Sequence, residues 1–547
     1  MASDQPRVLG IEGTAWAASA AVYDAAAETV DIETEAYLPD SGGIHPREAA
    51  EHMSEHLPEG IETVLARTDG DIDCVAFSRG PGLGPCLRLV GTSARALAQR
   101  LDVPLVGVNH MVAHLEIGRH FAGFETPVCL NASGANAHIL GYRAGRYRIL
   151  GETMDTGVGN AIDKFTRHVG WSHPGGPKVE QAAKDGEYAE LPYIVKGMDF
   201  SFSGIMSAAK QAYDGVSASN ASGGSSGEQS ESDGVPVEDV CCGLQETIFA
   251  MLTEVSERAL SLTGSDELVL GGGVGQNARL QEMLGTMCEQ RGADFYAPEN
   301  RFLRDNAGMI AVLGAKTFAA GDTLAIEDSA IDSDFRPDEV PVTWRDPEEA
   351  TGRIAEEGEV IQGAESRVSF EGETVEKRRR ERAYRHPELD ERLRRERTRQ
   401  EARLTSQARR EGVPTPLVRD VDVQETTLRL QRVGERDLRA DITEKRVRTL
   451  ARLLARMHEA GFVHGDPTPR NARIGEEGLT LIDFGLGYYT DDPEDHAMDL
   501  HVLTSSLAGT DDDADRLNHA VEAAYAGVGD ETVLGQLREI QGRGRYQ

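Results

Sequence analysis

Short apolar runs and longer amphipathic stretches alternate through the first 320 or so residues. RVLGIEGTAWAASAAV (7–22) reads as strand–turn–strand, with Gly10 and Gly13 bracketing Glu12. VPLVGV (103–108) and ELVLGGGVG (267–275) read as further strands, and helical stretches lie between such runs. This alternation predicts an α/β domain. RGPGLGPCLRLVGTSARA (79–96), LGGGVGQNARL (270–280) and NASGANAH (131–138) each read as a strand passing through glycines into a helix. Backbone N–H groups at such junctions approach phosphate or nucleoside closely. None carries the GK[ST] of a Walker A loop, and singly each is as readily a tight turn as a ligand cradle.

Two breaks interrupt this pattern. Residues 215–235 (GVSASNASGGSSGEQSESDGV) are low in complexity and are expected to form a disordered surface loop within the domain. The stretch 322–350 is acidic, carries Pro337, Pro341 and Pro347, and lacks apolar periodicity. The 547 residues exceed what one core organises, so we expect a domain over 1–323, an acidic linker over 324–349 and a second domain over 350–547. Residues 377–410 reverse the charge, with 14 Lys/Arg against six Asp/Glu in a helical register.

Net charge is −35, and Lys377 and Lys445 are the only lysines after Lys316. Acid-rich, lysine-poor surfaces suit a very salty cytoplasm, where self-repulsion is screened. A halophilic source is expected; a basic binding partner is the alternative. No run of 18 apolar residues and no basic-then-apolar start is present, so the expected location is cytoplasmic, with no membrane association. The six cysteines form no CxxC pair, which argues against a disulfide framework or zinc knuckle.

VNHMVAHLEIGR places His110 and His114 four apart, so that on a helix both imidazoles reach one metal. Asn109 suits the cap of that helix. His52 and His56 in EHMSEH share the spacing, so spacing alone does not choose between the pairs. Neither pair contains the glutamate of HExxH, which counts against a zinc peptidase.

GGIHPREAAEHM, GPGLGPCLR, VNHMVAHLEIGR, SGAN, GNAIDKFTR, HPGGPKVE, FSFSG, GGGVGQNARL and DNAGMIA follow one another over about residues 5–320. In that order they resemble the tRNA N6-adenosine threonylcarbamoyltransferases, the catalytic subunit of the KEOPS complex related to bacterial TsaD. The resemblance implies an actin/sugar-kinase-like fold of two α/β lobes with the site between them. It implies metal ligation by His110, His114 and Asp305, leaving His52 and His56 aside, with Fe²⁺ favoured and Zn²⁺ the alternative. Asn131 stands at a fourth ligand position where the family usually has Tyr; an amide oxygen coordinates more weakly than phenolate. Ala135 replaces a usual Gly. Asn131, Ala132, Ser133, Gly134, Ala135, Asp163, Gly176, Glu180 and Asn277 are implied contacts of threonylcarbamoyl-adenylate, the carboxylates accepting ribose hydroxyls. The implied reaction moves the threonylcarbamoyl group to N6 of adenosine 37 in tRNAs reading codons that begin with adenine. No residue is an obvious general base; Glu12 is the candidate, against a structural role in the first hairpin.

Near the C-terminus, HGDPTPRN sets Asp466 and Asn471 at the spacing of a kinase catalytic loop, and Asp483 heads IDFG twelve residues on. In phosphoryl transfer Asp466 is the proton acceptor, and Asn471 and Asp483 hold Mg²⁺. Lys377 in ETVEK fits the strand lysine that binds ATP phosphates, with Glu401 its preferred helix partner and Glu396 the rival. A GxGxxG loop is missing; Gly363 in GEVIQGAES (358–366) is the nearest candidate. There is no APE motif, and the chain is too short after Gly485 for a conventional protein kinase. YRHPELDERLRRERTRQEARL and HGD…N…IDFGL resemble the small atypical serine/threonine kinase of KEOPS, a relative of RIO kinases, over about 350–547. Here Pro467 and Pro469 alter the loop and remove two backbone donors. The resemblance implies ATP, Mg²⁺ and an ATPase role in support of tRNA modification. The arginine-rich helix 377–410 reads equally as a tRNA phosphate contact and as an ion-pairing partner of the acidic front domain. The terminal RGRYQ is a second basic candidate, expected to be mobile when unbound.

The chain therefore reads as two fused enzymes acting on tRNA, threonylcarbamoyl-adenylate and ATP alongside other KEOPS subunits. A metallopeptidase built on the histidine pair, and an actin-fold nucleotide-binding scaffold or chaperone, are the other readings the residues leave open.

Overall fold

β1 (Arg7–Glu12), β2 (Ala17–Asp24) and β3 (Thr29–Ala36) form an antiparallel meander, to which β4 (Cys74–Gly80) and β5 (Leu105–Asn109) add in parallel. The sheet order is β3–β2–β1–β4–β5, and 7–22 is strand–turn–strand as expected. The computed structural model describes residues 5–37, 44–69, 71–215, 234–347, 360–362, 366–476 and 478–543. Most of the 215–235 segment and of the terminal RGRYQ lies outside the described residues.

β1 is buried on both faces, as a central strand with parallel crossovers must be. Leu9 and Ile11 pack with Met53 and Leu57 of α1 (Pro46–Arg67) and Val90 of α2 (Gly84–Leu101). Val8 turns the other way, joining α3 (His110–Ala122) and the late helix α10 (Ala307–Ala319) through Val112, Leu115, Ile310 and Leu313.

A second sheet repeats the topology. β6 (Val128–Ala132), β7 (Ala137–Arg143) and β8 (Arg146–Glu152) are antiparallel, and β11 (Glu267–Gly271) and β12 (Asp294–Tyr296) extend them in parallel in the order β12–β11–β6–β7–β8. Two like sheets with helices between them form the two-lobed α/β architecture implied by the motif order. Between α3 and β11 the fit is close: a Cβ on Gly118 would stand 2.2 Å from Val269 Cγ1. The outer face of the second sheet is covered by α4 (Val158–His168), α5 (Gly176–Ala182), α6 (Ser203–Tyr213), α7 (Val237–Thr263) and α8 (Ala278–Arg291). A small hairpin, β9 (Val195–Lys196) and β10 (Asp199–Phe200), precedes α6, and the single turn α9 (Asn300–Leu303) precedes α10.

The segment 131–138 differs from the expectation of strand into helix. It joins β6 to β7, with Ala132 paired to Ala137 and Ser133 N donating to Asn136 O at 2.8 Å. Glycine signals a sharp reversal in either case; the cross-strand ladder decides which follows.

Residues 324–347, expected as an acidic linker, run from the first lobe onto the second. Leu324 N donates to Leu105 O at 2.8 Å, Asn109 Nδ2 to Phe335 O at 2.8 Å, and the Arg345 guanidinium sits 3.8 Å over the Tyr142 ring. Arg345 also approaches Glu116, a fully buried carboxylate of α3 that binds Lys316 and Arg119, each at 2.8 Å, and the Tyr147 hydroxyl at 2.5 Å. Burial opposes ionisation of Glu116, but Lys316 and Arg119 outweigh it and bring the carboxyl down to about 2.

The C-terminal part begins with an antiparallel sheet ordered β13–β14–β15–β17–β16: β13 (Val360–Gln362), β14 (Ser366–Glu371), β15 (Thr374–Arg379), β16 (Val418–Asp422) and β17 (Thr427–Gln431). Against it lies α11 (Pro387–Arg410). The charge-rich 377–410 is thus not one helix: its first residues finish β15, and the helix starts where proline suits the first turn. α12 (Glu444–Glu459), α13 (Pro493–Ala508), α14 (Ala514–Ala526) and α15 (Glu531–Arg543) build a helical lobe around Leu454, Leu503, Val521 and Leu537. It carries the ladders β18 (Arg436–Asp437), β20 (Ala472–Gly475) and β21 (Gly478–Leu481), and β19 (Phe462–Val463) with β22 (Tyr488–Tyr489). Among the described residues no helix is long and apolar enough to cross a membrane.

Candidate functional site

Helix–strand contact sets the first site. A Cβ on Gly10 would lie 2.5 Å from Ala307 O, so α10 rests on β1 without an intervening side chain and Asp305 arrives at the end of that strand. From the other side β5 ends at Asn109, whose Oδ1 accepts from Met111 N at 3.0 Å and Val112 N at 3.1 Å. That cap starts α3 at His110, and the i, i+4 spacing brings the His110 and His114 ring centroids to 4.9 Å. His110 Nε2 lies 3.3 Å, and His114 Nε2 3.2 Å, from the same oxygen, Asp305 Oδ1.

One donor atom each from His110, His114 and Asp305 falls within 4.8 Å of the other two, and no other such group occurs among the described residues. Asn131 Oδ1 is buried without a hydrogen-bond partner, as is His114 Nδ1. Both side chains border Gly271, whose Cβ would stand 3.4 Å from Asn131 Oδ1 and from His114 Cβ. Two imidazoles, a carboxylate and an unpaired amide oxygen are a donor set for a divalent transition ion. His52 and His56 of α1, with ring centroids 4.4 Å apart, have no such third ligand among the described residues; their neighbours include Tyr37, Glu35 O and Glu59.

Burial opposes charge on His110, but Glu12 and Asp305 overcome it and lift its pKa to about 10, while burial holds His114 below the ordinary histidine value. Burial likewise opposes ionisation of Asp305, yet the two histidines hold its carboxyl well below the usual range. Glu12 is fully buried: Oε1 accepts from Thr14 N at 2.8 Å, and Oε2 lies 3.2 Å from His110 Nδ1. As a candidate general base it lacks exposure; its geometry is that of a group orienting an imidazole.

The residues implied in nucleotide contact lie along one chain of contacts around the second lobe. Gly272 packs on Ala132, where a Cβ would meet Ala132 O at 2.3 Å. Asn160 N donates to Gly134 O at 2.9 Å, joining the Ser133–Ala135 loop to α4, which carries Asp163. Asp163 Oδ1 accepts from Gly175 N at 2.7 Å, at the start of the helix bearing Gly176 and Glu180. Glu180 Oε1 accepts from Ala278 N at 3.1 Å, and Asn277 Oδ1 caps α8 through Arg279 N at 2.9 Å. Nothing lies within 4 Å of a Cβ added at Gly134 or Gly176, so the backbone there is open to a ligand.

The second site lies between the sheet and helices of the C-terminal part. Lys377 Nζ, from β15, meets Glu401 Oε1 at 2.8 Å and Oε2 at 3.0 Å, and Asp483 Oδ1 at 2.7 Å. Glu401 of α11 is thus the partner, and the exposed Glu396 is not. Burial lowers the Lys377 pKa, but Asp483 and Glu401 more than restore it. Asp483 takes the left-handed backbone, at φ 65°. Asn471 Nδ2 donates to Asp466 Oδ2 at 2.8 Å, and Ile482 N to Asn471 O at 2.9 Å, which brings the catalytic-loop pair beside Asp483. Gly363 lies outside the described residues.

Three contributors escape a reading of the sequence. Asp499 of α13 accepts from His464 N at 2.6 Å and Gly465 N at 2.8 Å, holding the catalytic loop from behind. Arg379 Nη2 lies 2.7 Å from Glu401 Oε2; its place two residues after Lys377, on the same strand face, is the available signal. Glu254, in the middle of α7, offers none. With Glu257 and Glu190 it takes Arg385, Arg397, Arg382 and Arg392 from the C-terminal part. Ion pairing with the front domain therefore occupies these four arginines, while Arg394 and Arg395 pair with Asp390 and Glu391 of their own helix.

Comparison with known proteins gives the family. Residues 27–312 match the family model described as TsaD: tRNA N6-adenosine threonylcarbamoyltransferase. The chain is 69% identical to the "Probable bifunctional tRNA threonylcarbamoyladenosine biosynthesis protein" of Haloarcula marismortui, over 99% of this chain and 100% of the relative. It is 68% identical to the protein of the same description from Halobacterium salinarum, over 99% of each. The match thus runs through both sites.

Proposed function

The chain belongs to the bifunctional tRNA threonylcarbamoyladenosine biosynthesis proteins, a threonylcarbamoyltransferase joined to a kinase, and from that premise we propose how its two sites divide the work. Residues 1–323 transfer the threonylcarbamoyl group from threonylcarbamoyl-adenylate to N6 of adenosine 37 in tRNAs reading codons that begin with adenine. The N6 amine attacks the carbamoyl carbon and a C–N bond forms. The C–O bond to the adenylate phosphate breaks, AMP departs with the electron pair, and the amine proton passes to solvent.

The observation that carries this reading is the convergence of His110 and His114 on one oxygen of Asp305. His110, His114 and Asp305, with Asn131 as a weaker fourth donor, would hold a divalent ion, which would supply Lewis-acid charge at this site; Fe²⁺ is favoured and Zn²⁺ is the alternative. Glu12 orients His110 so that Nε2 is the ligating nitrogen. Ser133, Gly134, Ala135 and Gly176 offer backbone to the adenylate, and Asp163 and Glu180 serve as acceptors for its ribose hydroxyls.

Residues 350–547 bind ATP and Mg²⁺, with 324–349 as the joining segment. Lys377 grips the phosphates, Asn471 and Asp483 hold Mg²⁺, and Asp466 accepts the proton of the attacking hydroxyl or water. Phosphoryl transfer here supports the tRNA modification, in an assembly with other KEOPS subunits. Nucleoside analysis of tRNA after depletion of the protein tests the whole reading: loss of threonylcarbamoyladenosine supports it, and unchanged tRNA favours a nucleotide-binding scaffold.

A further inference from the structure

Glu254 belongs to the front domain, yet two arginines of the other bind it. Its side chain is 1% exposed. Arg258 of its own helix and the Tyr193 hydroxyl at 2.6 Å bind it from the front domain. Arg385 at 2.5 Å and Arg397 at 3.0 Å bind it from the C-terminal part, and all three guanidiniums are themselves buried. Replacing this one carboxylate leaves three buried cations without their shared anion, which is costly in a low-dielectric interior.

The register of α11 gives this cluster a consequence for the ATP site. Leu389 and Leu393 pack with Ala250 of α7, and Arg397, one turn further, reaches Glu254. The next residue in that i, i+4 series is Glu401, which binds Lys377. One stripe of a single helix is therefore clamped to the transferase domain over about two turns and then delivers the carboxylate that sets the ATP lysine. A helix moves as a rigid unit, so the rotation and height at which Glu401 meets Lys377 are fixed where Arg397 meets Glu254.

We infer that Glu254 is a positioning residue of the ATP site, acting through Arg397 and α11 from the transferase domain. The inference rests on reading Lys377, Glu401 and Asp483 as that site. A neighbouring pair supplies the control. Glu257, on the same helix α7, binds Arg382 at 3.2 Å. Arg382 precedes α11 and meets it through its backbone N–H, which donates to Asp390 Oδ1 at 3.3 Å, so this ion pair docks the domains near the start of the helix, about two turns before Arg397.

The test is steady-state ATP hydrolysis by the full-length chain in concentrated KCl, comparing wild type with Glu254→Gln, Glu254→Asp, Arg397→Gln, Glu257→Gln and Lys377→Ala. Thermal melting identifies the folded variants. A displaced Lys377 loosens its hold on the phosphates and raises KM for ATP, whereas a fraction of unfolded chains lowers apparent kcat alone. We expect kcat/KM to fall about tenfold in Glu254→Gln and Arg397→Gln, a typical size for coupling between packed elements, with KM carrying part of the loss. Glu254→Asp, which keeps the charge, should recover much of it, and Glu257→Gln should behave as wild type. If Glu254→Gln fails to fold, Arg397→Gln decides, because it leaves the carboxylate with two arginines. Wild-type kcat and KM in folded Arg397→Gln overturn the inference, and so does an equal loss in Glu257→Gln. Full hydrolysis by Lys377→Ala would instead overturn the reading of the ATP site.

Discussion

Gly10 of β1 and Ala307 of α10 touch backbone to backbone, so that a β-carbon on the glycine would stand 2.5 Å from the Ala307 carbonyl oxygen. Asp305 lies just before that helix, and the distance from strand to helix therefore sets the distance from Asp305 to the two histidines. Gly10→Ala should push α10 outward. We expect a loss of about 1–3 kcal/mol in stability, the usual penalty of overpacking, together with weaker metal binding. Thermal melting and metal content after dialysis check both parts.

Glu12 is expected to act on the metal through His110. Glu12→Gln keeps the shape but turns one of the two acceptor oxygens into an NH₂ donor, so Thr14 N and His110 Nδ1 can no longer both be accepted, and it should lower divalent-metal affinity by about 10–100-fold. Competition with a chelator of known strength measures this. Unchanged affinity would return Glu12 to a purely structural role in the first hairpin.

Glu116 makes stability depend on acid pH. Its carboxyl is brought down to about 2 against an ordinary value of 4.5. A group depressed on folding contributes stability above its unfolded pKa and loses it as pH falls toward the folded one. The wild type should therefore weaken between pH 4.5 and 2, and Glu116→Gln should show a flatter profile there. At neutral pH the variant should lose about 3 kcal/mol or more, because Lys316 and Arg119 are left without their shared anion. Denaturation across that pH range reads both effects.

Salt should stabilise the fold. With a net charge of −35, exposed carboxylates repel one another over roughly a Debye length, which grows from about 3 Å at 1 M to about 10 Å at 0.1 M salt. Melting temperature should rise steadily with KCl. A protein no less stable at low salt would remove the halophilic explanation of the composition.

How much of this is legible in the sequence depends on how local each relationship is. His110 and His114 are one helical turn apart and Asn109 immediately precedes them, so spacing and capping chemistry place all three. Asp305 needs the family resemblance, because nearly two hundred residues separate it from His114. Lys377, Asp466, Asn471 and Asp483 carry kinase spacing, and the motif around Glu401 favours it over Glu396 as the partner of the lysine. The grip of Glu12 on His110 and of Asp499 on the catalytic loop depends on long-range register, which no local pattern encodes. The hairpin at 131–138 reads as strand into helix because glycines mark both kinds of reversal alike. The charge run 377–410 reads as one helix because arginine suits helix and exposed strand equally; only Pro387 marks where the helix starts.

Transfer to tRNA is expected at the His110, His114 and Asp305 site, with the ATP site separate from it. Single-turnover transfer from threonylcarbamoyl-adenylate to unmodified tRNA, in the presence of divalent metal, tests it most directly. Wild type and Asp466→Ala should both form threonylcarbamoyladenosine in the first turnover, whereas His110→Ala should fall by at least about a hundredfold, as expected when a reacting group loses its alignment. Transfer by His110→Ala at the wild-type rate would contradict the account.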